Sequence, residues 1–212
     1  MGGTFNPVHY GHLAAAEEIR QQLSLDRILF VPAFIPPHKQ EEHRPTAAER
    51  REMVRLAIAG NPNFDLSDVE LVRGGMSYTI DTLRSLHSSH PGVLLFFITG
   101  LDSFLDIRTW HQWEHVLALC AFVILSRPGY RFSDLTRLDF MKSYEGELLS
   151  LDRGAVRHSH IRTLTSDLYL HAIPRFDISA TDIRTRVREG RSIKYHLPES
   201  VEHYIIEKKL YV

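Results

Sequence analysis

The 212-residue chain predicts an α/β fold, a doubly wound, Rossmann-like parallel sheet with helices on both faces, in a single domain over residues 1–212. Three observations carry this. The runs 93–99 and 121–126 are apolar without alternation, as strands buried on both faces are. The segment between them has helical spacing, which makes strand, helix and strand a βαβ unit. The same alternation extends through most of the chain.

Taken in order, Leu13, Ala16, Ile19 and Leu23 predict a helix feeding a buried strand over 28–32, which ends in the Pro-rich turn Ile35-Pro36-Pro37-His38-Lys39. A second helix is expected over 46–59. Thr46 is its N-cap, Glu49 completes a capping box, and Gly60-Asn61-Pro62 stops it. Residues 77–86 repeat that pattern. Residues 110–119 read as the crossover helix, with Trp113, Val116, Leu117 and Cys120 turned inward. A strand over 169–173, a helix from near Ser179 and a last helix from Pro198 to Lys208 follow. The stretch 131–162, rich in Ser, Arg and Asp, reads as a variable excursion on the sheet edge.

With 43% apolar and 24% charged residues, the composition is globular and excludes disorder as a general description. Basic and acidic side chains number 25 and 26, for a net charge of −1, so there is no global basic field and no nucleic-acid partner is expected. Any polyanion site must be local. Cys120 is the single cysteine, which excludes intrachain disulfides and Cys-based zinc clusters and suits a reducing compartment. No apolar run is long enough to span a membrane, and the first residues do not resemble a secretory leader. These features predict a soluble cytoplasmic protein with no membrane partner, and they leave a homo-oligomer open.

Two segments have the form of anion sites, where small residues or a capping hydroxyl precede a helix N-terminus. The first is Gly2-Gly3-Thr4-Phe5-Asn6-Pro7-Val8-His9-Tyr10-Gly11-His12, whose two histidines, three apart, share one helical face. The second is Ile178-Ser179-Ala180-Thr181-Asp182-Ile183-Arg184, in which Ser179 caps a helix and Arg184 follows about a turn later. Each segment alone also reads blandly, as a Gly-rich turn or a capped helix with a solvated arginine.

Together the two segments resemble the nucleotidyltransferase superfamily with its His-x-Gly-His and Ile-Ser-x-Thr-x-x-Arg motifs, here at His9 to His12 and Ile178 to Arg184. Within it the chain is most similar to bacterial nicotinate-nucleotide adenylyltransferases. Their Gly-Gly-Thr-Phe-(Asp/Asn)-Pro opening matches Gly2 to Pro7, their Pro-His-Lys matches Pro37 to Lys39, and their Ser-Tyr-Thr-x-Asp-Thr-Leu matches Ser77 to Leu83. Gly100-Leu101-Asp102 followed by Trp110, Ser126-Arg127-Pro128-Gly129 and the closing helix extend the resemblance over nearly the whole chain. Three departures stand out: Ala180 replaces a common Ser, Leu101 replaces a usual small residue, and relatives carry an apolar strand before the Gly-Gly-Thr turn. The last implies that the natural protein begins a few residues upstream of Met1.

The resemblance implies transfer of AMP from ATP to nicotinate mononucleotide, giving nicotinate adenine dinucleotide and pyrophosphate in NAD biosynthesis. It makes His12, His9 and Arg184 the catalytic residues. Gly3, Thr4, Phe5, Gly11, Lys39, Ser179 and Thr181 would bind ATP and its phosphates, with Mg²⁺ bridging phosphate oxygens largely through water. Thr79 (through nearby backbone N–H groups), Asp102 and Trp110 would bind the nicotinate nucleotide, and no residue is assigned as a protein metal ligand. Two alternatives remain: a pantetheine-phosphate adenylyltransferase, and a nucleotide-binding regulatory module without turnover. His111 with His115, and His158 with His160, have ligand-like spacing but lack a third partner.

Overall fold

The capping box written in the sequence at Thr46 is formed in the structure. In this computed structural model, which describes residues 1–37, 45–174 and 177–212, Thr46 Oγ1 accepts the Glu49 N–H at 3.2 Å and Glu49 Oε2 accepts the Thr46 N–H at 2.7 Å. Helix α2, Ala47–Ile58, starts there. Before it come strand β1 (Gly2–Gly3), helix α1 (Tyr10–Gln22) and strand β2 (Ile28–Pro32); after it come β3 (Phe64–Leu66) and the short α3 (Val69–Arg73). The three strands form a parallel sheet in the order β1-β2-β3. The short strand β1 is tied to β2 by the Met1 ammonium on the Leu29 carbonyl at 2.8 Å and by the Val31 N–H on the Met1 carbonyl at 3.0 Å.

The chain then passes into a second compact unit, Tyr78–Arg175. It holds α4 (Thr79–Ser89), β4 (Phe96–Gly100), α5 (Leu101–Leu105), α6 (Trp113–Leu119), β5 (Ala121–Leu125), α7 (Glu145–Asp152), β6 (His158–Arg162) and β7 (Asp167–His171). Its sheet runs β4-β5-β7-β6, parallel except for β6 against β7. Phe122, Val123 and Ile124 are wholly buried, as an apolar run without alternation requires. The chain returns to the first unit, Met1–Ser77 with Phe176–Val212, through α8 (Ala180–Arg188) and α9 (Glu199–Glu207). Helix α9 packs on α2.

Several boundaries differ from expectation. Strand β4 starts at Phe96, because His90-Pro91-Gly92 turns the chain and leaves Val93 and Leu94 exposed. The expected helix over 110–119 is broken: a 3-10 turn spans Ile107–Thr109, Gln112 takes a left-handed φ of 53°, and α6 begins only at Trp113. Strand β7 ends at His171 rather than at residue 173. The stretch 131–162 does lie at the sheet edge, but it is an ordered part of the core, supplying Phe132, Leu135, Leu138, Met141, Leu148 and Ile161 as well as the antiparallel strand β6. Among the described residues, no helix is long and apolar enough to cross a membrane.

His171 makes the fold sensitive to acid. Its ring is 3% exposed and lies 5.8 Å from that of His158. Burial, with a smaller contribution from the His158 charge, pushes its imidazole down to about 4. The unfolded chain takes up this proton near pH 6.5, so between 6.5 and 4 it binds a proton that the folded chain refuses, and stability falls as pH falls. The loss amounts to roughly 3 kcal/mol. Denaturant unfolding at pH 7 and pH 4 should show a smaller difference in His171→Gln than in the wild type; equal differences would contradict this.

Candidate active site

The loop after β1 turns at Phe5, whose φ of 47° is left-handed. A side chain rarely adopts that conformation without compensation. Here the ring is 3% exposed, tilted against Phe30 at 5.8 Å. The turn delivers His9 in extended conformation as the N-cap of α1. The His9 N–H donates to His12 Nδ1 at 3.3 Å, which places the proton of the neutral His12 ring on Nε2 and makes that atom a donor. The two imidazoles lie 3.8 Å apart at 34°, and Phe5 stands edge-on to His12 at 5.3 Å. His9 is buried, while His12 is partly exposed.

The second motif comes to the first within the same unit. A Cβ placed on Gly11 would lie 3.6 Å from the Ile178 carbonyl oxygen. Arg184 Nη1 donates to the Asn6 carbonyl at 2.8 Å and Nη2 to Thr181 Oγ1 at 3.3 Å. Ser179 caps α8 as expected, its Oγ accepting the Asp182 N–H at 3.1 Å, which leaves its own O–H able to donate. Thr181 is exposed. Arg186, in an ion pair with Asp182 at 2.7 Å, is occupied structurally. Lys39 and its neighbour His38 lie outside the described residues.

Sequence reasoning missed three residues that fasten the loops after β1 and β2. Arg50 of α2, 3% exposed, donates through Nη1 to the Thr4 carbonyl at 2.8 Å and through Nη2 to the Phe34 carbonyl at 3.1 Å. Tyr211 donates its O–H to Asn6 Oδ1 at 2.8 Å. Ser77, which the sequence placed at the head of a helix, instead accepts the Phe34 N–H on its Oγ at 2.8 Å. Only a buried charge on the inner face of α2 could have signalled Arg50 in advance.

In the second unit, Asp102 sits in the first turn of α5, just past the end of β4. Its Oδ1 makes no hydrogen bond among the described residues and faces Arg127 Nε at 3.5 Å. A Cβ on Gly100 would overlap both of those atoms, so glycine keeps room for the pair. Trp110 does not start a helix. It follows the 3-10 turn and packs edge-on to Phe97 at 5.7 Å and near Phe122 at 6.5 Å, remaining partly exposed. Thr79 is the first residue of α4, after the N-cap Tyr78, whose ring lies 4.6 Å from that of His111. That contact links the segments that carry Thr79 and Trp110.

The Cytidylyltransferase-like family model matches residues 1–186. A protein of Citrifermentans bemidjiense named "Probable nicotinate-nucleotide adenylyltransferase" is 47% identical over 100% of this chain and 96% of its own length. One of Geobacter metallireducens with the same name is 45% identical over the same shares. The chain belongs to the nicotinate-nucleotide adenylyltransferase family. A member of known structure, "Plasmodium falciparum nicotinic acid mononucleotide adenylyltransferase complexed with NaAD", is 22% identical with a TM-score of 0.74, covering 99% of this chain and 94% of that one, which shows a shared fold. The two segments that carry the resemblance, Gly2 to His12 and Ile178 to Arg184, meet in the first unit.

The contact beneath His9 is open to test. On this adenylyltransferase a Cβ at Gly11 would lie 3.0 Å from His9 Nδ1 and 3.1 Å from Cε1, so Gly11→Ala must displace the buried ring. Alanine also gains helix propensity of about 1 kcal/mol. That gain offsets part of the cost of moving the ring, so the variant should stay folded while turnover falls about tenfold or more, because His9 packs against His12 at 3.8 Å and its displacement disturbs both rings. Unchanged turnover would show that the spacing of the two rings does not matter.

Proposed function

We propose that the chain transfers AMP from ATP to nicotinate mononucleotide, releasing pyrophosphate and forming nicotinate adenine dinucleotide. The observation that carries this is the meeting of the two motifs, through Arg184 on the Asn6 carbonyl and Gly11 beside Ile178. The relatives named for the same activity support the substrate pair. The matched family segment, 1–186, runs through the whole second unit and most of the first, which supports treating 1–212 as one nucleotidyltransferase domain. The lone Cys120 supports a reducing, cytoplasmic setting.

A phosphate oxygen of nicotinate mononucleotide attacks the α-phosphorus of ATP, the bond from that phosphorus to the bridging oxygen breaks, and pyrophosphate leaves. No protein nucleophile is needed, so the residues act by positioning and by stabilising charge. A divalent ion such as Mg²⁺, if carried by ATP, would supply further charge neutralisation on the phosphates, and no side chain is assigned to hold it. His12, with Nε2 as its donor, meets the charge that grows on the α-phosphate; His9 and the first turn of α1 support it. Gly3, Thr4, Phe5 and Gly11 offer backbone to the nucleotide, and Ser179, Thr181, Arg184 and Lys39 offer donors to the phosphates. For the acceptor nucleotide, Trp110 supplies an aromatic face, the N–H groups at the start of α4 near Thr79 supply donors for the carboxylate, and Asp102 accepts ribose hydroxyls.

Coupled pyrophosphate release with ATP and either nicotinate or nicotinamide mononucleotide tests the reading. The acid should be preferred at least about tenfold, because donors suited to a carboxylate leave the amide NH₂ without an acceptor, at a cost of ~1–3 kcal/mol. Equal use of both would refute acid specificity. His12→Ala should lower kcat by about 10²–10³ with ATP binding retained, since the lost donor acts on charge developing in the transition state. A kcat within a few-fold of wild type would remove His12 from its role.

A further inference from the structure

Arg50 lies one turn into α2, yet it is 3% exposed. A buried guanidinium is costly unless its donors are filled. Here three of them go to main-chain carbonyls from separate places: Nη1 reaches Thr4 at 2.8 Å, Nη2 reaches Phe34 at 3.1 Å, and Nε reaches Pro45 at 3.4 Å. Thr4 belongs to the loop after β1, and Phe34 to the loop after β2. Only a planar fork with donors diverging in one plane can serve three such acceptors together; an ammonium on a flexible stem cannot.

The Thr4 contact matters most. A trans peptide is planar, so its C=O and the following N–H point in opposite directions. Holding the Thr4 carbonyl on Arg50 therefore fixes the direction of the Phe5 N–H. It also fixes the entry to Phe5, whose left-handed φ of 47° has to be maintained against local preference.

We propose that Arg50 is a positioning residue for ATP: by clamping the Thr4 and Phe34 carbonyls it sets the backbone of the nucleotide loop without touching the nucleotide. This rests on the adenylyl-transfer reading. Its signature is selective, because the loop it holds serves ATP, whereas the residues proposed for the acceptor nucleotide lie on other elements. A residue needed only for folding would reduce the active fraction and leave both KM values alone.

The test compares wild type, Arg50→Lys and Arg50→Met in steady-state assays with each substrate varied, alongside hydrogen exchange of the amides in residues 2–9. Arg50→Met should raise the KM for ATP about tenfold or more and move the KM for nicotinate mononucleotide by less than about twofold, with exchange in 2–9 faster by at least about tenfold. Arg50→Lys should fall between, since one ammonium restores part of the clamp; if Arg50→Met does not fold, the lysine variant carries the test with the same selective shift in smaller measure. Wild-type KM for ATP in either folded variant, equal shifts for both substrates, or unchanged exchange in 2–9 would overturn the proposal. An inactive wild type would instead remove the adenylyl-transfer reading, and the exchange measurement would still decide whether Arg50 holds the loop.

Discussion

The bond from the Arg184 guanidinium to the Asn6 carbonyl joins residues 178 apart in sequence and fastens the loop after β1. Closing so long a loop costs conformational entropy that grows only slowly with length but still exceeds what one hydrogen bond to a charged donor returns, about 1.5–3 kcal/mol. The closure therefore has to be shared. The Tyr10 N–H donates to the His196 carbonyl at 3.0 Å, Tyr211 reaches the Asn6 side chain, and α9 lies on α2. In the folded chain the loop after β1 is thus fastened by residues of the C-terminal segment.

This makes the two units unlike each other. The second has five-residue strands in full register and a continuous apolar core around Phe104, Phe122 and Leu135. The first has a two-residue and a three-residue strand beside β2, and its loops are fastened by side chains acting on backbone: Arg50 on Thr4 and Phe34, Ser77 on Phe34, Arg184 on Asn6. Ladder hydrogen bonds specify a surface that repeats. Side-chain clamps can hold a non-repeating backbone such as the turn at Phe5.

The parts legible in the sequence were those whose cause is local. A capping box is a contact across three residues, and Thr46 with Glu49 formed it; a run of residues buried on both faces is readable as composition, and β5 followed from it. What escaped has non-local causes. The strand β3 is three residues long and exists because β2 offers it an edge. The stretch 131–162 hid its core residues among polar ones, since Phe132, Leu135, Leu138 and Met141 recur every third position in 3-10 turns rather than at α-helical spacing. Gln112 broke the helix expected at Trp110 by taking a left-handed backbone that nothing in its residue type announces. The site motifs were visible, but Arg50 and Tyr211, whose acceptors lie 46 and 205 residues away, were not.

The residues at positions 101 and 180, where the sequence departs from the pattern it resembles, can be read from the same geometry. Successive helical residues point about 100° apart, so one of two neighbours at a helix start can face the core while the other points away from it. Leu101 is wholly buried, whereas Asp102 keeps its carboxylate beside Arg127 at the end of β4. The Leu101 side chain thus packs in the core and does not compete with the Asp102 carboxylate for space. At the other motif, the functions a hydroxyl could serve near the start of α8 are held by the residues flanking Ala180: Ser179 receives the Asp182 N–H and Thr181 receives Arg184. Ala180 therefore removes a side-chain oxygen without uncapping the helix or releasing Arg184. The part of the motif that the fold depends on is the pair of oxygens on either side of position 180, together with the arginine that ties them to Asn6.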